Sequence, residues 1–500
     1  MPTKDICGDV ILVRVMVNDQ LNNLFQLITA CTSRPVWLVG GAVRELLTGH
    51  QPVDLDLAID GSGLALAQAL ADAGQGTFVL LDRERDTGRV VLPDSIVIDC
   101  ARLRATDIVS DLYLRDFTVN ALALPLDAAR WGDWSALLDP LDGQADLAAR
   151  RLRPCTPTSL RDDPLRVIRA GRFRATHQLI PVPELVTPAR EVVPLLSAIA
   201  VERIRDELLK LCDGLAAAAG LRFLDQVGAL TAIFPELEAA RTCDQPHVHF
   251  LPVLAHMLET VAALDWLIDN GEPPVAVQTH PHLERILPFA DQYQALLHQR
   301  RGNVRRAALL KLAALLHDNA KPQTKVSHPD GTVTFYGHQG LGAERVLIIA
   351  QRLRLSRADT AYLACIVREH MRPGQMRSGG QLTERGIARF FRDTGDAGPD
   401  ILLHELADHL ATRGPWLDPM AWREHLHWVA MMLNHYWNAP TPPPPPLLRG
   451  DTLMAALGIK PGPEVGRLLR LIHEAQLAGE IHSPEEAIAL ARTLQTTDHG

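Results

Sequence analysis

Short apolar runs bounded by turn residues dominate the first third of the chain, and helical spacing dominates the rest. Val36–Val39 leads into Gly40-Gly41 and reads as a short buried strand running into a glycine turn, with Ala42–Leu47 as the first turns of a helix. Further strands are expected at Asp54–Ile59, Thr77–Leu81, Arg89–Leu92, Ile96–Cys100 and Val119–Leu124. After about residue 160 the apolar positions recur at helical intervals, over Leu165–Phe173, Ala200–Cys212, Leu221–Val227, Leu254–Leu267, Arg305–Leu316, Ala343–Leu353 and Asp359–Arg368. The expected fold class is an N-terminal α/β domain followed by a mainly α-helical remainder. Pro440–Pro446, interrupted by Thr441, predicts a stiff extended linker before a small helical piece that begins near Leu447.

A chain of 500 residues exceeds what one hydrophobic core usually supports, so two to four domains are expected. Hydrophobic residues at 47% and charged residues at 22% fit a globular protein and argue against extensive disorder. Its apolar runs, such as Ala307–Leu316, are too short to span a bilayer, and Met1–Gln20 lacks the clean apolar segment of a secretory signal. The expected location is the cytoplasm, with no membrane partner. Seven scattered cysteines fit reduced thiols rather than a disulfide framework. A net charge of −9 counts against non-specific coating of nucleic acid, yet Arg150, Arg151, Arg153, Arg161, Arg166, Arg169, Arg172 and Arg174 lie close together against Asp162 and Asp163. This segment is either a basic patch for phosphates or an ordinary solvated helix face.

Candidate chemistry concentrates in four places in the N-terminal part. Strand, Gly40-Gly41 and helix start together present backbone N–H groups and a positive dipole end to an anion, with Arg44 one turn along. Asp54 and Asp56, at i and i+2 on a strand, share one face and can hold divalent cations through hard oxygen ligands, while Val53, Leu55 and Leu57 take the other face. Arg115, Asp116 and Asn120 add a cation, a carboxylate and an amide. Asp162-Asp163-Pro164-Leu165-Arg166 predicts a helix start capped by Asp162 or Asp163, with Asp163 and Arg166 on one face. They either read the polar edge of a base or form an i,i+3 salt bridge. Asp99 is a third candidate carboxylate or a simple strand-edge aspartate.

Taken in order, Leu38-Val39-Gly40-Gly41-Ala42-Val43-Arg44, Asp54-Leu55-Asp56, Arg115-Asp116-Phe117-Thr118-Val119-Asn120-Ala121 and Asp162-Asp163-Pro164-Leu165-Arg166 resemble the class II tRNA nucleotidyltransferases, which include CCA-adding enzymes and related bacterial poly(A) polymerases. Ala200–Ile204 and Ile233–Leu237 extend the resemblance. It implies a polymerase-β-like nucleotidyltransferase head over residues 25–150, a helical neck and RNA-binding region over 151–240, an HD-type helical body over 241–440 and a tail over 447–495. By position it implies Asp54 and Asp56 as catalytic ligands of Mg²⁺, with Gly40, Gly41 and Arg44 at the triphosphate. Arg115, Asp116, Asn120 and Arg169 would belong to the nucleotide site. Asp163 and Arg166 would template incoming CTP or ATP, braced by Glu202 and Arg203, and the acceptor would be a tRNA. The chain departs from the pattern at Asp162, where Glu is usual, and at Leu114, which replaces an arginine. Full CCA addition is the product expected first; the segment Asp99–Asp116 is shorter than the flexible loop of many CCA-adding members, which brings in CC-only addition, with A-only addition and poly(A) synthesis as the other products this class offers.

Further along, His256, the pair His317-Asp318 and Asp408 combine ligand types that suit a divalent transition metal. Together with His338 and His370 they resemble the HD metal-dependent phosphohydrolases, which implies a metal-activated water directed at phosphate esters on RNA ends. Asn319 stands where that family often has an apolar residue, and His404 and His409 are expected on the helix surface. Two rival readings are a principal HD phosphohydrolase with a regulatory head, and an RNA-binding scaffold without turnover.

Overall fold

Val36–Val39 forms β1 because Leu38 and Val39 are withdrawn from solvent, and the chain turns at Gly40 into α2 (Gly41–Leu47), which comes after α1 (Asp19–Cys31). The computed structural model describes residues 17–93, 96–302, 304–379, 382–438, 445–477 and 479–496. It divides into two units, Met1–Gly214 with Ala219–Ile233 and Leu215–Ala218 with Phe234–Gly500. Most of Met1–Gln20 and the greater part of the Pro440–Pro446 linker lie outside the described residues.

In the first unit, β2 (Asp54–Ile59), α3 (Gly63–Ala73), β3 (Thr77–Asp82), β4 (Thr87–Val91), β5 (Val97–Arg102), α4 (Ile108–Tyr113) and β6 (Ala123–Pro125) come in order. They build a six-stranded sheet ordered β3-β4-β5-β2-β1-β6. The β2–β5 pair is parallel and the remaining pairs are antiparallel, so the sheet is mixed. Leu55, Leu57, Ile98 and Cys100 are buried on the core side, as strand alternation requires. Val53 departs from expectation: it precedes the strand and is 73% exposed. The strand expected over Val119–Leu124 is also replaced in part, because Thr118–Asn120 forms a 3-10 turn before β6. Side-chain bonds account for this: Asp116 Oδ1 accepts from Phe117 N at 2.8 Å and from Asn120 Nδ2 at 3.0 Å, fixing a turn where a ladder would otherwise run.

Two helices complete the part of this unit that concerns the site, α5 (Arg166–His177) and α6 (Val201–Cys212), which pack on each other. The expected cap at Asp162 or Asp163 is displaced. Asp162 ends a preceding short helix, Leu165 occupies the α5 cap position, and Asp163 Oδ1 accepts from Leu165 N at 3.2 Å.

The second unit is helical: α7 (Val253–Asp269), α8 (Arg306–Leu316), α9 (His338–Arg352), α10 (Arg357–Glu369), α11 (Glu384–Thr394), α12 (Gly398–Arg413), α13 (Gly450–Leu457), α14 (Pro463–Leu477) and α15 (Pro484–Thr496) among others. Helices α7 and α8 are buried nearly all round, because α7 packs against α8 and α12 while α10 covers α8. A separate apolar cluster of Leu453, Leu468, Ile472, Ala475, Ala487 and Ala491 forms the core of the C-terminal helices. No helix among the described residues is long and apolar enough to cross a membrane.

Candidate nucleotidyl-transfer site and a second cluster

Gly40 sets the geometry of the first site. Its φ of +63° is one that L side chains rarely adopt, and an added Cβ would stand 3.3 Å from Asp56 Oδ2 and 3.6 Å from Arg115 Nη1. The glycine turn therefore runs directly against the carboxylate of Asp56. Asp54 and Asp56 are both exposed while Leu55 between them is buried, so the two carboxylates share the open face of β2. The protein packed around the Asp56 carboxylate raises its pKa, Asp99 adds repulsion, and Arg115 with the Gly41 N–H opposes both. The Asp56 carboxylate, pushed toward protonation in this way and sharing the open face with Asp54, suits a divalent cation held by hard oxygen donors.

Asp99 is not a strand-edge residue: β5 lies inside the sheet, and Asp99 pairs in register with Asp56. Both its oxygens are taken by Arg89, at 2.7 and 2.9 Å, which makes it a counter-ion of Arg89 rather than a free third ligand.

Behind the glycine turn a continuous chain of polar contacts runs from α2 to α6. Arg44 Nη1 donates to Asn120 Oδ1, and Asn120 Nδ2 donates to Asp116 Oδ1. Asp116 Oδ2 accepts two bonds from Arg169, at 2.7 and 3.0 Å, and Arg169 Nη1 reaches Glu207 Oε1 at 3.2 Å. Arg172 Nε lies 2.7 Å from the other Glu207 oxygen. Burial alone would push the Asp116 carboxyl up, but Arg169, Asn120 and the Phe117 N–H hold it well below the usual carboxylate range. Burial pushes Arg44 down to about 10, partly offset by Glu45. Helical spacing explains how one element serves this network: Arg166, Arg169, Phe173 and His177 recur along one stripe of α5. Arg115 is tied by two bonds to Asp111, at 3.2 and 2.9 Å, and Asp111 also accepts from Arg104 N at 2.9 Å. The segment between Asp99 and Asp116 is thus occupied by α4, capped by Asp107.

Asp163 and Arg166 do not pair with each other. Asp163 Oδ2 accepts from Arg203 Nη2 at 2.9 Å, whereas Arg166 donates to the carbonyls of Leu114, Arg115 and Ser159 and to the Ser159 hydroxyl. The expected shared helix face is not formed: Asp163 is extended backbone ahead of α5, which begins at Arg166, and other acceptors claim the guanidinium. The basic segment is also partly internal. Arg151 and Arg153 pair with Asp146 at 3.1 and 2.7 Å, and Asp146 is 1% exposed, so these two arginines neutralise a buried carboxylate rather than forming a free phosphate row. Sequence patterns alone do not single out Asp111, His177, Glu207 and Arg89. Asp111 offers one signal, its i,i+4 spacing to Arg115; the other three act across 10 to 133 residues.

The second unit gathers His256, His317, Asp318, His338, His370 and Asp408. His256 Nε2 lies 2.8 Å from Asp408 Oδ1, His317 Nε2 3.1 Å from Asp318 Oδ2, and His338 Nε2 3.3 Å from Asp318 Oδ1. His370 Nε2 is 3.6 Å from Asp318 Oδ1. His317, His338 and His370 each donate Nδ1–H to a carbonyl three residues back, those of Ala314, Phe335 and Val367, which turns every Nε2 inward. Two triads share Asp318: His256 with His317, and His338 with His370. Although these atoms crowd together, both Asp318 oxygens, Asp408 Oδ1 and the Nε2 atoms of His256 and His317 find no partner with hydrogen-bond angles. Lone pairs converging without directional bonds suit a cation, beside the Lys321 ammonium that lies 2.6 Å from Asp318 Oδ2. A cavity of about 520 Å³ opens on the cluster, lined by His249, Asp318, Lys321, His338, His370 and Asp408 among others. Asn319 is fully buried and donates to the carbonyls of Leu316 and Gly342. His404 is not a surface residue: it is 0% exposed, with its ring 4.7 Å from that of His317, because α12 lies between other helices. His409 is half-buried against Trp422 and His425.

Comparison with known proteins gives the chemistry a family. Residues 36–153 match the poly A polymerase head domain, and residues 182–241 match a probable RNA and SrmB-binding site of polymerase A. An A-adding tRNA nucleotidyltransferase of Deinococcus radiodurans is 35% identical over 91% of this chain and 94% of its own length. A CC-adding tRNA nucleotidyltransferase of Thermus thermophilus is 32% identical over 92% and 93%. The fold is shared with the Thermotoga maritima CCA-adding enzyme complexed with tRNA, with a TM-score of 0.59 and 21% identity over 96% of this chain and 97% of that one. An α/β head with a glycine turn against paired carboxylates, a helical remainder and similarity to the Deinococcus and Thermus enzymes over nine-tenths of the chain lead to one conclusion: the chain belongs to the tRNA nucleotidyltransferase family.

Proposed function

We propose that this chain adds nucleotides from CTP or ATP to the 3′ end of a tRNA at the head site, with Asp54 and Asp56 as Mg²⁺ ligands. The observation that carries this reading is the approach of the Gly40 turn to Asp56 with Arg44 beside it. The turn and Arg44 hold the triphosphate, and Arg115, Asp116 and Asn120 shape the ribose and phosphate side. Arg169 fixes Asp116 so that Asn120 and Arg44 keep their places. Mg²⁺ held by Asp54 and Asp56 would supply Lewis-acid stabilisation of charge for a transfer in which the tRNA 3′ oxygen bonds to the α-phosphorus and the bond to the departing pyrophosphate breaks. Asp163, held by Arg203, and Arg166 read the incoming base, so Arg166 exchanges protein acceptors for the base edge. The division into head 25–150, neck 151–240, body 241–440 and tail 447–495 belongs to this reading, and its place of action is the cytoplasm.

The product is one part of a CCA end rather than the whole. Support comes from relatives that span nine-tenths of this chain, one named A-adding and others CC-adding. Extension of tRNAs lacking the 3′ end, or ending in C or CC, with CTP, ATP or both, decides it at single-nucleotide resolution. Arrest after CC or addition of A alone supports a partial activity; C, C and A in sequence shows full CCA synthesis. Absence of extension on every acceptor sinks the head assignment.

The convergence on Asp318 favours a second centre. We propose that His256, His317, Asp318 and Asp408, with His338 and His370, hold a divalent transition metal and hydrolyse a phosphate ester on an RNA end. Loss of 2′,3′-cyclic phosphate hydrolysis in His317→Ala and Asp318→Ala, with nucleotide addition retained, is the expected result. No hydrolysis by the metal-loaded wild type on cyclic or 2′-phosphates leaves the cluster a structural metal site.

A further inference from the structure

We propose that His177 is a positioning residue for nucleotide transfer, whose Nε2 accepts from Arg44 Nη2 and holds that guanidinium beside the glycine turn. The inference rests on the reading that Arg44 meets the incoming triphosphate.

Every hydrogen in this arrangement can be assigned. A guanidinium has donors only, so the 3.0 Å contact between Arg44 Nη2 and His177 Nε2 requires an unprotonated Nε2. The neutral ring then carries its hydrogen on Nδ1, 2.6 Å from Thr176 Oγ1, while the Thr176 hydroxyl donates to Arg172 O at 2.9 Å. Burial, with Arg44 and Arg172 nearby, pushes His177 down to about 3, so the imidazole stays an acceptor through the neutral range.

Arg44 is thereby held on three sides. Asn120 Oδ1 takes Nη1, His177 takes Nη2, and the Phe173 ring lies 5.4 Å from the guanidinium carbon. The Phe173 and His177 rings are 5.4 Å apart on α5, so one helix supplies both a flat wall and an acceptor. Arg44 Nε is buried without a hydrogen-bond partner, and Nη2 lies 3.6 Å from where a Gly41 Cβ would stand. The Asp56 carboxylate lies 3.6 Å from that same point, and the charges of Arg44 and Asp56 act on each other. An acceptor on α5 keeps Arg44 from folding onto Asp56 and leaves its remaining donors for phosphate oxygens.

Steady-state extension of a tRNA by the full chain with varied nucleotide tests this. His177→Phe keeps the ring but removes the acceptor, and should raise the nucleotide KM about tenfold with kcat within about twofold. His177→Gln, whose Oε1 can occupy the Nε2 position, should restore KM to within about threefold of wild type, whereas the shorter His177→Asn should not. A wild-type KM in His177→Phe, or Gln no better than Asn, overturns the proposal. If His177→Phe lowers the unfolding midpoint, the Gln and Asn pair decides. Arg44→Ala separates the two levels: an unchanged KM there removes the triphosphate reading itself, while a raised KM with no effect of His177→Phe removes this inference alone.

Discussion

Asp56 on β2 and Asp99 on β5 stand side by side in a parallel register, yet Arg89 grips both oxygens of Asp99 while the Asp56 carboxylate faces the Gly40 turn. One carboxylate is spent on an internal ion pair, and its neighbour is the one the proposed function assigns to a cation. Asp56 must be ionised to hold a cation, so activity falls as pH drops through its raised pKa. Replacing Asp99 by Asn removes a repulsion and frees the Arg89 charge, and both changes lower the Asp56 pKa. The acid limb of the kcat/KM profile should therefore move to lower pH in Asp99→Asn; a shift to higher pH would show that Asp99 itself serves as a ligand. Asp54→Ala and Asp56→Ala should each reduce single-turnover addition by at least about a thousandfold.

Asp116 should make folding acid-sensitive. Its folded pKa is depressed, so its contribution to stability is present above the ordinary carboxylate value of about 3.9 and is lost as pH falls below it toward the folded value. Asp116→Asn removes the Arg169 ion pair and should flatten the loss of stability on the acid side in urea unfolding followed from about pH 5 down to about pH 2. Asp116→Ala leaves Arg169 with Glu207 and strands the Asn120 amide, at a cost of about 3 kcal/mol at neutral pH. Parallel stability–pH curves for wild type and Asp116→Asn would refute this account.

How much the sequence reveals depends on the range over which each interaction acts. The alternation of Asp54, Leu55, Asp56 and Leu57 predicts β2 with its boundaries, because strand periodicity is local. Gly40 is visible as a turn, and its tight fit against Asp56 depends on the β1–β2 pairing that the turn leads out of. The i,i+3 spacing of Asp163 and Arg166 predicts a shared helix face, but α5 begins only at Arg166 and Asp163 is extended backbone before it; no local rule announces that Arg203, 40 residues later, takes Asp163, or that carbonyls around residue 115 take Arg166. Val119–Leu124 is apolar enough for a strand, and Asp116 overrides that preference with bonds to Phe117 and Asn120. His404 is polar by type and so expected at the surface, whereas burial of α12 on several sides decides its environment.

The basic segment yields a test of stability rather than of RNA affinity. Asp146 is withdrawn from solvent and bonded by Thr118 Oγ1 at 2.7 Å, Arg153 and Arg151. Replacing Arg151 and Arg153 together by Ala strands its charge, at an expected cost of about 3 kcal/mol, while Asp146→Asn in that background should recover part of the loss. Weakened tRNA binding at unchanged stability, with a reduced salt slope, would instead make these arginines phosphate contacts.

Asp318 links both halves of the histidine cluster, so metal stoichiometry can show whether it acts as a bridge. The triad with His256 and His317 and the triad with His338 and His370 each use it. Burial would raise the Asp318 carboxyl, but His317 and Lys321 hold it well below the ordinary range, so it is ionised and ready to ligate at neutral pH. If both triads hold a metal, the protein should retain about two transition-metal ions per chain after desalting, measured by elemental mass spectrometry in an Asp54→Ala, Asp56→Ala background that lacks the head ligands. His338→Ala with His370→Ala should reduce this to about one ion, and Asp318→Ala should remove both. Retention of one ion by Asp318→Ala would mean that the triads bind independently; about one ion in the wild type, unchanged by the loss of His338 and His370, would confine the metal to His256, His317, Asp318 and Asp408.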